Sequence, residues 1–144
     1  MQIKFKKLHP DAVIPTRATD GSAGFDLTIR DFFEGEGSRV TTVYTGITVQ
    51  IPSGYVGMLM PRSSLYKSGW ELANTIGCID SDYSGEILIK LKPNGVSVSD
   101  PTNRAKIGDR IAQLVVVPCL TASEEVSELD QTVRGSGGFG STGK

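Results

Sequence analysis

The stretch VYTGITVQI, Val43–Ile51, sets Val43, Thr45, Ile47, Val49 and Ile51 at alternate positions. A period of two puts these five side chains on one face of an extended strand and the residues between them on the other. The pattern recurs in GFDLTIR (24–30), where Phe25, Leu27 and Ile29 alternate with Asp26, Thr28 and Arg30, and in EILIKL (86–91), through Ile87, Ile89 and Leu91. YVGMLM (55–60) and RIAQLVVV (110–117) are apolar on both faces and read as buried strands. Turn signals fall between these runs: EGEGS (34–38), IPSG (51–54), KPNG (92–95) and KIGD (106–109). No stretch carries a long helical stripe; the best helix candidate, RSSLYKSG (62–69), is a turn or two at most. Many short strands with very little helix predict an all-β fold, a sandwich or barrel.

The chain has 144 residues, enough for one domain with a real core. Its net charge is −1, which argues against a long nucleic-acid surface, since such binding runs on many Lys and Arg contacts. A compact anionic ligand needs only a few local donors and stays open. The start, MQIKFKKLHP, lacks the apolar stretch of a signal peptide, and no apolar run is long enough to cross a bilayer. Cys78 and Cys119 lack metal-ligand spacing and read as reduced thiols of a cytoplasmic protein. His9 is the only histidine, so a His-based triad or His-rich metal site is nearly excluded. One domain is expected over 1–144: a β body over 1–117, then an arm over 118–144, where the pattern fades into the acidic TASEEVSELDQ and a glycine-rich end.

Four places could carry chemistry. In NTIGCIDSDYSGEI (74–87), one strand over Ile76, Cys78 and Asp80 and another over Tyr83–Leu91 would put Ser81 and Asp82 at a hairpin turn. Asp80 and Asp82 are then turn formers, or Asp80 is a general base aimed at a water. Tyr83 is a half-exposed strand aromatic, or a flat wall against a sugar or base. In MPRSSLYKSG (60–69), Arg62, Ser63 and Ser64 offer a guanidinium, two hydroxyls and unpaired amides suited to phosphate; the plain alternative is a Ser N-cap. Gln113 is either a satisfied core amide or a donor lining a site. Asp26 is a solvated carboxylate, or part of a metal–water cluster.

The least ambiguous feature is RGSGGFGSTG, Arg134–Gly143. A plain linker would be Gly and Ser without the Arg and Phe. Glycine-rich turns can form an anion-binding nest. Arg134, Ser141 and Thr142 add donors for phosphate oxygens, and Phe139 can stack on a base, a contact worth about 1–3 kcal/mol in single-strand binders. The segment reads as one that closes over a nucleotide.

At this point the chain resembles the homotrimeric-type dUTPases. Five short motifs of that family occur in order: AGFDL (23–27), PRSSL (61–65), GCIDSDYSGE (77–86), GDRIAQL (108–114) and RGSGGFGSTG. Phe25 stands where the family often has tyrosine, and Ser64 where many members have glycine. The resemblance implies a jelly-roll-like β fold and a homotrimer whose three sites are shared between subunits, the tail of one covering a site formed by the other two. It implies hydrolysis of dUTP to dUMP and pyrophosphate with Mg2+ bound mainly by phosphates and water, and no nucleic-acid or membrane partner. By the same resemblance, Asp80 would activate the attacking water and Tyr83 would leave no room for a 2′-hydroxyl. The Asn74 side chain and the backbone from Asn74 through Gly77 to Ile79 would pair with the uracil edge. Arg62, Ser63, Ser64 and Gln113 would hold phosphates. Arg134, Ser141 and Thr142 would grip the γ-phosphate end, with Phe139 stacked on uracil and Gly140 in the same closing segment. Asp26 would be an outer-sphere metal helper or a group that organises the site.

Three rivals remain at this level. A dCTP deaminase shares an RSS segment but needs a glutamate near the hairpin. A nucleotide-gated binding protein would use arm ordering as a switch. A structural trimer without chemistry would have no need of Asp80, Tyr83 and the complete tail.

Overall fold

The structure is a computed structural model, and it describes residues 2–34, 39–96, 102, 104–139, 141 and 143. The expected site residues Gly140 and Thr142 lie outside the described residues.

The fold is all-β and jelly-roll-like. Its strands are β1 (Lys4–Lys7), β2 (Phe25–Thr28), β3 (Asp31–Glu34), β4 (Thr41–Tyr44), β5 (Ile47–Gln50), β6 (Tyr55–Pro61), β7 (Trp70–Leu72), β8 (Gly77–Ile79), β9 (Leu88–Pro93) and β10 (Arg110–Pro118). One 3-10 turn, Leu65–Ser68, follows β6. The strands form a two-stranded sheet, β1-β5, and two four-stranded sheets, β2-β10-β6-β8 and β3-β4-β9-β7. All their pairings are antiparallel.

One core joins the three sheets. Leu27, Leu59, Ala112 and Leu114 enter from the first four-stranded sheet, Val43, Leu72, Ile89 and Leu91 from the second, and Ile47 and Val49 from β5. Each large aliphatic side chain removed from water contributes about 1.5–3 kcal/mol.

The alternation of VYTGITVQI predicts burial correctly and continuity wrongly. Val43, Thr45, Ile47, Val49 and Ile51 are all buried, yet the stretch breaks at Thr45–Gly46 into two strands of different sheets. Gly46 takes φ +68°, a left-handed value costly for a residue with a Cβ. The buried Thr45 hydroxyl donates to the Ile87 carbonyl (2.8 Å) and accepts from the Ile47 amide (3.2 Å), which satisfies the backbone at the corner.

A second departure concerns Ile76–Leu91. β8 ends at Ile79 and pairs with β6, whereas β9 starts only at Leu88 and pairs with β4 and β7. The segment from Asp80 to Ile87 therefore crosses from one sheet to another, and Ser81 and Asp82 sit in a turn of that crossing rather than at the tip of a hairpin. Within the short loop 62–69, only Leu65–Ser68 is helical.

The strands read as buried on both faces are buried on one. Leu59, Ala112 and Leu114 face the core, while Met58, Met60, Val115 and Val117 on the opposite face are only half-buried. After β10 the Cys119 amide donates to the Gly54 carbonyl (2.9 Å), the one hydrogen bond from the arm to the body among the described residues. From Leu120 onward nearly every described residue is exposed.

Candidate active site

The first cluster forms where β6 ends. The Arg62 amide donates to the Ile111 carbonyl (2.9 Å), which pins the chain after Pro61 to β10. Buried Leu65 then anchors the 3-10 turn, so Ser63 and Ser64 stay at the surface. Ser64 precedes that turn but makes no side-chain cap, so its hydroxyl is not used as an N-cap. Gln113 lies between Asp26 on β2 and Met60 on β6 in the sheet register. Its amide nitrogen donates to the Pro61 carbonyl (3.2 Å). A Cβ on Gly24 would stand 2.9 Å from Gln113 Cβ, so glycine in AGFDL is what admits the glutamine.

Asp26 is buried, with 7% of its side chain exposed. Its Oδ1 faces Arg62 Nε at 3.1 Å and its Oδ2 faces Arg110 Nη1 at 3.0 Å. Two charge-assisted contacts compensate the desolvated carboxylate. Arg62, Arg110, Ser64, Lys67 and Asp109 line a cavity of about 400 Å3. Arg110 and Lys67 were not among the site residues expected from the sequence, although Arg110 lies inside GDRIAQL.

The second cluster surrounds β8. The loop after β7 carries Asn74, whose carbonyl accepts the Ile76 amide at 2.6 Å, and Thr75 at φ +64°. Buried Gly77 then lies against Leu59 and the Asn74 amide, and Ile79 pairs with Gly57. Asp80 follows with its side chain exposed and no partner among the described residues. The Tyr83 amide donates to the Asp80 carbonyl (3.1 Å), and the Tyr83 hydroxyl to the Glu86 carbonyl (2.9 Å). Thr48 Oγ1 to the Ser84 carbonyl (2.9 Å) and the Gly46 amide to Glu86 Oε1 (2.6 Å) clasp this segment to β5 and its corner. A cavity of about 610 Å3 opens beside it, lined by Tyr83, Ser81, Asp82, Lys4 and Lys6.

The third element is the arm. The Gly137 amide donates to the Arg134 carbonyl (3.1 Å) and the Ser141 amide to the Gly138 carbonyl (3.0 Å), bonds local to the arm. Phe139 is fully exposed at φ +49°.

Arg62, Ser64, Gln113 and Asp26 thus come together near the Pro61 end of β6, where Thr75, next to Asn74, lines a cavity with Arg62 and Ser63; Gly77 and Ile79 run along β6 away from it, and Asp80 and Tyr83 come together beyond them. Gly57 pairs with Ile79, so Asp80 comes level with Val56 near the Tyr55 end of β6, while Arg62 lies just past the Pro61 end. Six residues of strand separate the two positions by about 20 Å. A single chain does not join its candidate base to its candidate phosphate donors.

Comparison with known proteins gives this arrangement its place. The dUTPase family profile matches residues 10–143. A deoxyuridine 5′-triphosphate nucleotidohydrolase of Nautilia profundicola is 44% identical over the full length of both chains. The dUTPase of Staphylococcus bacteriophage 80alpha, solved with dUPNHPP, superposes with a TM-score of 0.81 at 29% identity, covering 99% of each chain. That work describes phage dUTPases as controlling transfer of virulence genes by a G protein-like mechanism. A variant dUTPase of the S. aureus phage phi11, described as coordinating a structural Mg(II) ion, superposes with a TM-score of 0.73 at 26% identity over 91% of this chain and all of the other. The chain belongs to the dUTPase family. It is an enzyme, and its reaction is the hydrolysis of dUTP.

Proposed function

We propose that the enzyme cleaves dUTP between its α- and β-phosphates at sites shared by the subunits of a homotrimer. The observation that carries this reading is the separation of Asp80 from Arg62 along β6. One subunit would present Asn74–Ile79, Asp80 and Tyr83. A second would present Arg62, Ser63, Ser64 and Gln113, and the arm of a third would close over both. The half-buried outer face of Met58, Met60, Val115 and Val117 supplies apolar surface for such contacts.

Asp80 takes a proton from water, the water oxygen bonds to the α-phosphorus, and the bond to the bridging oxygen breaks. The products are dUMP and pyrophosphate. An exposed carboxylate with no internal partner is free to meet that water. Tyr83 stands against the deoxyribose and excludes a 2′-hydroxyl. The Asn74 amide and the polar backbone up to Ile79 match the uracil edge and mismatch cytosine, whose donor and acceptor are exchanged. Arg134, Ser141 and Thr142 hold the γ-phosphate end, with Phe139 on the base.

The substrate is the magnesium complex. Among the described residues no three His, Cys, Asp or Glu side chains converge as a metal cage, and both Asp26 oxygens already face arginines. This donor set fits an ion that arrives on the triphosphate, coordinated by phosphate and water. The ion supplies charge neutralisation on the phosphates. Asp26 is assigned here to organising the site rather than to the metal. In a cell the reaction removes dUTP from the DNA precursor pool and furnishes dUMP for thymidylate synthesis.

The test is complementation. Asp80→Asn and Arg62→Ala chains are purified separately, then refolded together and assayed for pyrophosphate release from dUTP. Activity in the mixture that neither parent shows supports sharing between subunits. A mixture as inactive as its parents, with trimers formed, overturns it.

The arm supports a second reading. Leu120, Leu129, Val133 and Phe139 are exposed in this chain. An arm that orders on nucleotide would change the surface offered to a protein partner, as in the G protein-like control described for the phage enzymes.

A further inference from the structure

The ends of β2, β6 and β10 bring together one carboxylate and two guanidiniums. Asp26 is nearly fully buried, while Arg62 and Arg110 keep 29% and 51% of their side chains exposed. Asp26 engages only Nε of Arg62 and one terminal nitrogen of Arg110. Arg62 Nη1 also donates to the Arg110 carbonyl (3.2 Å), which ties the two arginines to each other through the β10 backbone. A guanidinium carries five N–H donors. Among the described residues Arg62 Nη2 and Arg110 Nε and Nη2 have no partner, and both side chains line the cavity holding Ser64 and Lys67. The other carboxylate there, Asp109, accepts the Lys106 amide at 3.0 Å and is tied into its own turn. The cavity wall is thus cationic, with its counter-charge buried behind it.

Here the anion is buried and the cations keep donors at the cavity. We propose that Arg110 contacts the substrate's phosphates beside Arg62, and that Asp26 is a positioning residue that fixes both guanidiniums as one preformed clamp. This rests on the triphosphate reading above. Preformed forks lose less side-chain freedom when an oxyanion arrives than free arginines do.

The experiment measures binding rather than turnover, so that it stands apart from the reaction. Calorimetry follows inorganic tripolyphosphate with Mg2+, and separately deoxyuridine, on wild type, Arg110→Gln, Arg110→Lys and Asp26→Asn. Arg110→Gln and Asp26→Asn are expected to weaken tripolyphosphate by about tenfold or more, the loss of a charge-assisted contact. Deoxyuridine binding should stay within about twofold, because the base side of the site is untouched. Arg110→Lys should recover only part of the loss, since an ammonium lacks the fork. With dUTP the same variants should raise KM more than they lower kcat. Unchanged tripolyphosphate binding in folded Arg110→Gln overturns the clamp; so does parallel loss of both ligands, which would mark a structural triad. Should Asp26→Asn fail to fold, the exposed Arg110 carries the test. A wild type that binds tripolyphosphate through Arg110 yet releases no pyrophosphate from dUTP would overturn the reaction and leave the clamp standing.

Discussion

The ring of Tyr83 occupies the space that a side chain on Gly85 would need. A Cβ there would lie 2.6 Å from Tyr83 Cζ, well inside contact distance. The tyrosine is therefore held in place from below by an absent side chain and from above by its hydroxyl on the Glu86 carbonyl. Gly85→Ala should push the ring outward while leaving the core intact. The expected result is a fall of about tenfold in the dUTP-to-UTP ratio of kcat/KM, as a wall against the 2′-hydroxyl is lost. An unchanged ratio would remove Tyr83 from sugar selection.

The Asp80 side chain is exposed with no hydrogen-bond or ion-pair partner among the described residues, so Asp80→Asn costs the fold little. Turnover should fall by about 10²–10⁴-fold, the usual contribution of a general base. Binding of a non-hydrolysable dUTP analogue should persist. Near-normal kcat in this variant would mean that another group accepts the proton.

Among the described residues of 132–143, the hydrogen bonds stay within the arm and nearly all side chains are exposed. Deleting residues 134–144 should leave the melting temperature within about 2 °C of wild type, because exposed residues bonded only locally add little to stability. Activity should be nearly lost, since nothing would close over the nucleotide. A markedly lower melting temperature would show the arm to be structural.

Ile89 is fully buried on β9, beside Val43 of β4 in the sheet register. Ile89→Ala should destabilise the protein by about 2–5 kcal/mol through lost burial and a cavity. Denaturant midpoints at matched protein concentration would check this, because any subunit association would add to apparent stability.

The sequence carried burial further than it carried connectivity. Alternation marked all five inward residues of Val43–Ile51, because side-chain period follows directly from the pleat. It was silent on the corner at Gly46, where a hydroxyl and a left-handed glycine redirect the chain. Lys4–Lys7 and Asp31–Glu34 are too short and too polar to stand out as strands. Tyr83–Ile87 looks like strand by composition, yet its hydrogen bonds go to β5, to the Thr45–Gly46 corner, to Asp80 and to itself. The motif residues proposed for the site stand out through spacing and family resemblance, while Arg110 does not, because only the fold sets it against Asp26. The outward valines and methionines of β6 and β10 read as buried because pattern cannot say which surface covers a side chain.

The run of β6 between Asp80 and Arg62 also bears on gene dosage. Under shared sites, no chain owns a complete catalytic centre, and a newly made copy is silent until it meets others. At low expression, catalytic output would climb more steeply than the number of chains. A copy faulty in one element would silence only the centre to which it lends that element, so two alleles faulty in different elements would still build some working centres between them.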